Sequence, residues 1–159
     1  NEHEDLERAV KDSDIIVAAA SRNPCVKIDS SWLTSHSTVI QLGDLQMDLS
    51  GYDSDQIICD IRQHPLQFHR QVGWKFTEAF VTKFKNSSNS YISNVRALHE
   101  IVGGEDQVPI REKTIFSSLG LPIEDIAWAS HVYNNAVASG IGQSIKISDG
   151  PYFGKPTLD

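Results

Sequence analysis

Hydrophobic and polar positions alternate in blocks whose periods switch between helix-like and strand-like along the chain. Leu6, Ala9 and Val10 fall at i, i+3 and i+4, which predicts a short amphipathic helix over residues 4–11. Asp12, Ser13 and Asp14 break it, and a continuous apolar run follows at 15–20, Ile-Ile-Val-Ala-Ala-Ala. Such a run, β-branched at its start, predicts a strand buried on both faces of a parallel sheet. The alanines that end it leave room for a ligand to approach the backbone. Residues 30–33, Ser-Ser-Trp-Leu, predict a capped single helical turn. Further strands are predicted at 38–42, ending in Gly43-Asp44, and at 56–61.

From Pro65 to Phe84 the apolar residues Leu66, Val72, Phe76, Ala79, Phe80 and Phe84 recur at roughly helical spacing, with Gly73 as a break. Residues 86–90 read as a polar loop. Val95, Leu98, Ile101 and Val102 form one face of another helix, closed by Gly103-Gly104. Residues 114–116, Thr-Ile-Phe, predict a fourth strand, and Ser117, Ser118, Leu119 and Gly120 form a small-residue turn after it. Pro122 suits the first turn of a helix because its fixed φ is helical. Ile126, Ala129, Val132, Tyr133, Ala136 and Val137 share one face of that helix, which ends at Gly140. The last residues, 148–159, carry Gly150-Pro151 and Pro156 and read as an extended arm. Strands alternating with helices throughout predict an α/β fold with a mainly parallel sheet.

Composition narrows the function classes. With 159 residues, 40% hydrophobic and 22% charged, the chain has an ordinary globular make-up and enough length for a real core. A net charge of −7 argues against a nucleic-acid surface, which needs clustered Lys and Arg. No apolar run approaches the roughly 20 residues that span a membrane, and no signal peptide is visible, so a cytoplasmic location is expected. Cys25 and Cys59 are the two cysteines, and Cys59 lies in an apolar strand, so free thiols are expected rather than a disulfide. His64 and His69 are five apart and Cys59 has no ligand-spaced partner, so no metal site is expected. Asn86-Ser87-Ser88 fits a glycosylation sequon but reads as part of the polar loop, and Trp74, Phe76 and Phe80 read as core or interface rather than a ligand cage. The chain opens on Asn1 without an initiator Met, in the lead-in to a helix, which is read as a fragment, a processed chain or a split subunit.

Three stretches in this order resemble the ornithine cyclodeaminase/μ-crystallin family. They are residues 14–24 with the Trp32-Leu33 segment, residues 37–44 (Ser-Thr-Val-Ile-Gln-Leu-Gly-Asp), and residues 112–125 (Glu-Lys-Thr-Ile-Phe-Ser-Ser-Leu-Gly-Leu-Pro-Ile-Glu-Asp). The resemblance runs over most of residues 4–142, is weak over 62–90, and corresponds to the second half of a family member. It implies that residues 1–120 form the C-terminal part of a Rossmann NAD(P)-binding domain. Residues 121–159 would be a helix and tail returning to a substrate and dimerisation domain. It implies NAD or NADP as cofactor and hydride transfer at an amino-acid or imine carbon: cyclodeamination, imine reduction or amino-acid dehydrogenation. A homodimer, completed by an N-terminal half or a partner chain, is implied too. Carried over by position, Ala20, Leu42, Gly43 and Ser118 contact the cofactor, Leu119 borders the substrate, and Asp44 is the candidate proton-relay aspartate.

Two departures qualify the match. The loop after Gly43 is shorter than the family's and lacks its basic residue, and a strict alignment through Gly43 places Leu45 at the aspartate position. Asp44 therefore also reads as a turn residue. No G-x-G-x-x-G occurs; Gly140-Ile141-Gly142 follows a helix and runs on into Gln-Ser-Ile. The alternative function is a non-catalytic binding protein on the same fold, as μ-crystallin binds hormone, or an inactive fragment.

Overall fold

The architecture starts from parallel strands whose carboxyl ends line up. A computed structural model describes residues 2–20, 25–53, 56–84, 95–104 and 113–146. The predicted polar loop at 86–90, with its sequon, and the predicted arm at 148–159 lie outside them. In chain order the elements are helix α1 (Glu2–Lys11), strands β1 (Ile15–Ala18) and β2 (Val26–Lys27), a 3-10 turn (Ser30–Trp32), β3 (Thr38–Gln41), β4 (Leu45–Gln46) and β5 (Ile57–Cys59). Then come α2 (His64–Gln71), α3 (Lys75–Phe84), β6 (Arg96–Ala97), α4 (Leu98–Val102), β7 (Thr114–Ser117) and α5 (Pro122–Ala138). Five strands form one sheet in the order β1-β3-β7-β5-β6, and every pair in it is parallel. The parallel α/β class predicted from the alternation of elements is what the chain adopts. By contact, the chain divides into two units, Asn1–Leu121 and Pro122–Asp159.

Central strands are apolar because both of their faces are covered. Val39, Ile57, Cys59 and Ile115 are all buried, and Phe76, Phe80 and Phe84 of α3 belong to the same core. Phe76 and Phe80 are fully buried, each worth about 2–3 kcal/mol relative to an exposed side chain. They are core residues, and Trp74 packs edge-on against Phe68 with ring centroids 4.6 Å apart. The helical stretch from Pro65 to Phe84 is two helices, broken where Gly73 takes a φ of 66°. Helix α1 buries Val10 against this core, and its exposed side is laced by Lys11 to Glu7 at 2.6 Å. Such an i,i+4 pair contributes only about 0.2–0.5 kcal/mol. Asp29, rather than either serine, caps the 3-10 turn by accepting the Ser31 N–H at 2.9 Å.

Burial of the first strand departs from expectation. The run at 15–20 was expected to be buried on both faces, yet Ile15 is 64% and Val17 56% exposed. Among the described residues β1 stands at the end of the strand order, and its face carrying half-buried Ile16 and buried Ala18 meets the core. The strand also stops at Ala18, leaving Ala19 and Ala20 in the loop beyond it. The two-residue strands β2 and β4, which pair in parallel as a separate small sheet, leave no periodicity in the sequence. Taken by itself, α5 exposes Ile123, Ile126, Trp128, Val132, Tyr133 and Val137.

Tyr52 offers a test of the core. It is 2% exposed and its hydroxyl has no hydrogen-bond partner among the described residues. Burial pushes its phenol from 10.0 up to about 12. The folded chain thus holds that proton more tightly than the unfolded one, so stability falls as pH rises from 10 towards 12. Tyr52→Phe is expected to be neutral or up to about 1 kcal/mol more stable at pH 7, because no bond is lost with the hydroxyl. The variant should also lose less stability above pH 10 than wild type does, as read by urea titrations at both pH values. A clear loss at neutral pH would show that the hydroxyl is bonded after all.

Candidate functional site at the carboxyl edge of the sheet

Register decides which loops meet. Ala18 pairs with Gln41, Gln41 with Ser117, Ser117 with Cys59, and Cys59 with Ala97, so one row of residues crosses the whole sheet. Because the strands are parallel, the residues that follow this row leave the sheet on the same edge. Those residues are Ala19-Ala20, Leu42-Gly43, Ser118-Leu119 and Asp60. Open α/β sheets bind ligands outside this edge. Three segments apart in sequence, carrying Ala20, Leu42, Gly43, Ser118 and Leu119, are thereby brought to one rim, with Asp60 on a fourth.

Backbone hydrogen bonds tie the rim together. The Ala18 carbonyl accepts the N–H groups of both Leu42 and Gly43 at 2.9 Å, and the Gln41 carbonyl accepts the Ser118 N–H at 2.9 Å. Gly43 has to be glycine here for a steric reason. A Cβ at that position would lie 2.2 Å from the Ala20 carbonyl oxygen, far inside van der Waals contact. The loops after β1 and β3 are therefore pressed backbone to backbone. Leu42 is 46% exposed, Ser118 and Leu119 are half-buried, and Gly43 is buried beneath them.

Two buried polar side chains that sequence reasoning passed over lie beneath the rim. Gln41, fully buried, donates from Nε2 to the Gly43 carbonyl at 2.5 Å and accepts the Ser117 hydroxyl on Oε1 at 2.6 Å. Asp60, 3% exposed, accepts the Leu119 and Gly120 N–H groups on Oδ2 at 2.7 and 3.1 Å. Each is a polar residue at the carboxyl end of an apolar strand, where burial is costly unless hydrogen bonds offset it. That position was the available signal.

Asp44 goes elsewhere. It is 4% exposed, and its Oδ1 accepts the Lys75 N–H at 2.7 Å and the Phe76 N–H at 3.4 Å. It supplies acceptors for the otherwise unpaired donors of the first turn of α3. Asp44→Ala is expected to cost about 1–2 kcal/mol, as loss of a helix cap does, while Asp44→Asn retains an acceptor and should stay within a few tenths. Denaturant titration of both variants checks this; an alanine variant as stable as wild type would remove the capping role.

Cys25 and Cys59 are free thiols. Burial first, and then the Asp44 carboxylate, raise the Cys25 thiol. Burial, with Asp60 adding to it, pushes Cys59 to about 12. Neither is an activated nucleophile. Among the described residues no cluster of three His, Cys, Asp or Glu side chains has metal-binding geometry. No helix among them is long and apolar enough to cross a membrane.

An open groove of about 910 Å³ lies between β2, β4 and α3, lined by Lys27, Met47, Asp48, Lys75 and Glu78 among others. None of the rim residues lines it. Two of its charges are already engaged: Lys75 bonds Glu78 at 3.0 Å, and Asp48 accepts the Ser50 N–H at 2.9 Å. The rim, not the groove, is the better candidate site.

As a chemical surface, the five rim residues carry no formal charge and present small or apolar groups beside one hydroxyl. The glycine-rich turn that receives a pyrophosphate is not among them.

Comparison with known proteins agrees with this fold. A search of the curated proteins finds no match. Among solved structures, a Δ1-pyrroline-2-carboxylate reductase of Thermococcus litoralis in complex with NADH and L-proline superposes with a TM-score of 0.64 at 20% identity. The match covers 87% of this chain and 42% of that one. An archaeal alanine dehydrogenase dimer with bound NAD gives a TM-score of 0.58 at 22% identity, covering 89% of this chain and 43% of that one. The chain thus spans less than half the length of either relative. The profile of the ornithine cyclodeaminase/mu-crystallin family matches residues 3–140, and this chain belongs to that family.

Proposed function

We propose that this chain is part of an NAD(P)-dependent enzyme that transfers hydride at an amino-acid or imine carbon. The observation that carries the proposal is the row Ala18–Gln41–Ser117–Cys59, which delivers Ala20, Leu42, Gly43, Ser118 and Leu119 to one carboxyl edge. In this reading Ala20, Leu42, Gly43 and Ser118 border the cofactor, with Ser118 supplying the hydroxyl, and Leu119 borders the substrate. When bound, the nicotinamide supplies the hydride chemistry. The pressed loops at Gly43 and Ala20 hold the rim rigid, and half-buried Leu119 shields the reacting face from water. Residues 1–120 would be the later part of the nucleotide-binding domain, and 121–159 would lead to a substrate and dimerisation domain. A homodimer and a cytoplasmic location belong to the same reading, which leaves NAD and NADP equally open. Fluorescence titration of the protein at its full natural length with NADH and with NADPH tests it. Binding of neither would end the proposal.

A second reading, a non-catalytic binding protein on the same fold, is favoured by Asp44. Its carboxylate is buried and its Oδ1 is engaged with the first turn of α3, a structural role that accounts for the residue without a proton relay. Turnover of an amino acid or a cyclic imine, abolished by Asp44→Asn with stability unchanged, would restore the relay role and exclude this second reading.

A further inference from the structure

Three consecutive backbone donors follow β7, and all three are occupied. The Ser118 N–H is taken by the Gln41 carbonyl at 2.9 Å. The next two, of Leu119 and Gly120, converge on one oxygen, Oδ2 of Asp60, at 2.7 and 3.1 Å. Asp60 reaches them because Cys59 pairs with Ser117 across the sheet, so the residue after one strand stands beside the turn after the other. Gly120, with φ at 85°, takes the left-handed conformation that lets the chain turn back and aim both N–H groups at a single acceptor. Asp60 is 3% exposed, and its second oxygen, Oδ1, is buried with no hydrogen-bond partner among the described residues. Half of this carboxylate is thus committed to the backbone of the rim, and the other half is buried without a partner among the described residues. An asparagine would hold the same two donors.

We propose that Asp60 is a positioning residue for the cofactor site: it clamps the turn after β7 so that Ser118 and Leu119 meet the ligand through their side chains alone. With the N–H groups of Ser118, Leu119 and Gly120 all consumed, none of these three residues offers a backbone donor to cradle a phosphate. It faces the uncharged portion of the dinucleotide, and the geometry of the clamp sets where that portion rests. This inference rests on the reading of the carboxyl edge as a cofactor site.

The test compares Asp60→Asn, which keeps the accepting oxygen and loses the charge, with Asp60→Glu, which keeps the charge and moves the oxygen outward by one methylene. Both are made in the protein at its full natural length and titrated with NADH and NADPH, with amide exchange followed at Leu119 and Gly120. Asp60→Asn is expected to bind within about threefold of wild type, and Asp60→Glu to bind about tenfold more weakly or worse, the scale on which a misplaced frame weakens a site. Exchange at Leu119 and Gly120 should quicken in the glutamate variant while exchange in β3 and α3 stays as in wild type. Wild-type affinity in Asp60→Glu overturns the proposal. So does an Asp60→Asn variant as weak as the glutamate variant, because charge rather than position would then be the cause. If wild type binds neither dinucleotide, the cofactor reading itself falls and takes the clamp's role with it. Failure of the clamp alone is recognised by wild-type binding with unaffected variants.

Discussion

Gln41→Leu is expected to lower stability by about 2–4 kcal/mol, because it leaves two buried polar groups without partners. The Ser117 hydroxyl loses its acceptor at 2.6 Å and the Gly43 carbonyl loses its donor at 2.5 Å. Ser117 is 1% exposed and Gly43 is buried, so water cannot readily replace what the glutamine supplied. Leucine fills a similar volume, so the cost comes from unsatisfied polarity and not from a cavity. A denaturant titration should show a lower midpoint with an unchanged slope, the mark of a stability change alone. The double variant Gln41→Leu/Ser117→Ala removes one of the two orphans together with its partner. It should recover about 1 kcal/mol relative to the single variant, a coupling readable in a double-mutant cycle. Strict additivity of the two changes would show that the Gln41–Ser117 bond carries no energy. The Gly43 loop should loosen at the same time, weakening dinucleotide binding even where the protein remains folded.

Gly43→Ala is expected to cost about 2–3 kcal/mol, the range of overpacking in a close-packed site. The added methyl would sit 2.2 Å from the Ala20 carbonyl oxygen and 3.3 Å from the Ala19 and Ala20 carbonyl carbons. All three are backbone atoms, and β1 is held to β3 by the ladder running from Ile15–Thr38 to Ala18–Gln41. Neither loop yields without disturbing the sheet edge. Gly51→Ala is the control, since a Cβ there meets nothing within 4 Å. That variant should be neutral or gain a few tenths of a kcal/mol through lost flexibility of the unfolded chain. Equal midpoints for the two alanine variants would mean that the loops are not pressed together. Because the displaced carbonyl belongs to Ala20, the Gly43 variant should also lose affinity for NADH, whereas the Gly51 variant should keep it.

Much of this was legible in the linear pattern, for an identifiable reason. Central strands of a parallel sheet are covered on both faces, so Thr38–Gln41, Ile57–Cys59 and Thr114–Ser117 stand out as short apolar runs between turn signals. At Ile15–Ala18 the same logic differs from what this chain by itself shows, since Ile15 and Val17 are exposed although the run is as apolar as its neighbours; a strand's own pattern does not say what packs on each face. Strands β2, β4 and β6 span two residues each, too short for any period to register. The small residues of the rim, Ala20, Gly43 and Ser118, drew notice because they end strands in turns and match a family pattern.

The sequence by itself determined the class of fold, because periodicity and turn residues are properties of neighbours along the chain, and the family, through the resemblance of residues 14–24, 37–44 and 112–125. It also marked which strand ends are the candidates to meet a ligand. What only the tertiary structure decided is how those ends are held and what each polar residue near them does. Asp44 reaches the N–H of Lys75 across 31 positions, and Asp60 reaches Leu119 and Gly120 across 59 and 60. Gln41 meets Ser117 across 76. Such partners are chosen by strand order and register, which place residues side by side that no local period relates. A buried carboxylate can cap a helix, clamp a turn or move a proton with the same atoms. Only the donors that stand around it separate these roles, and those donors arrive through folding.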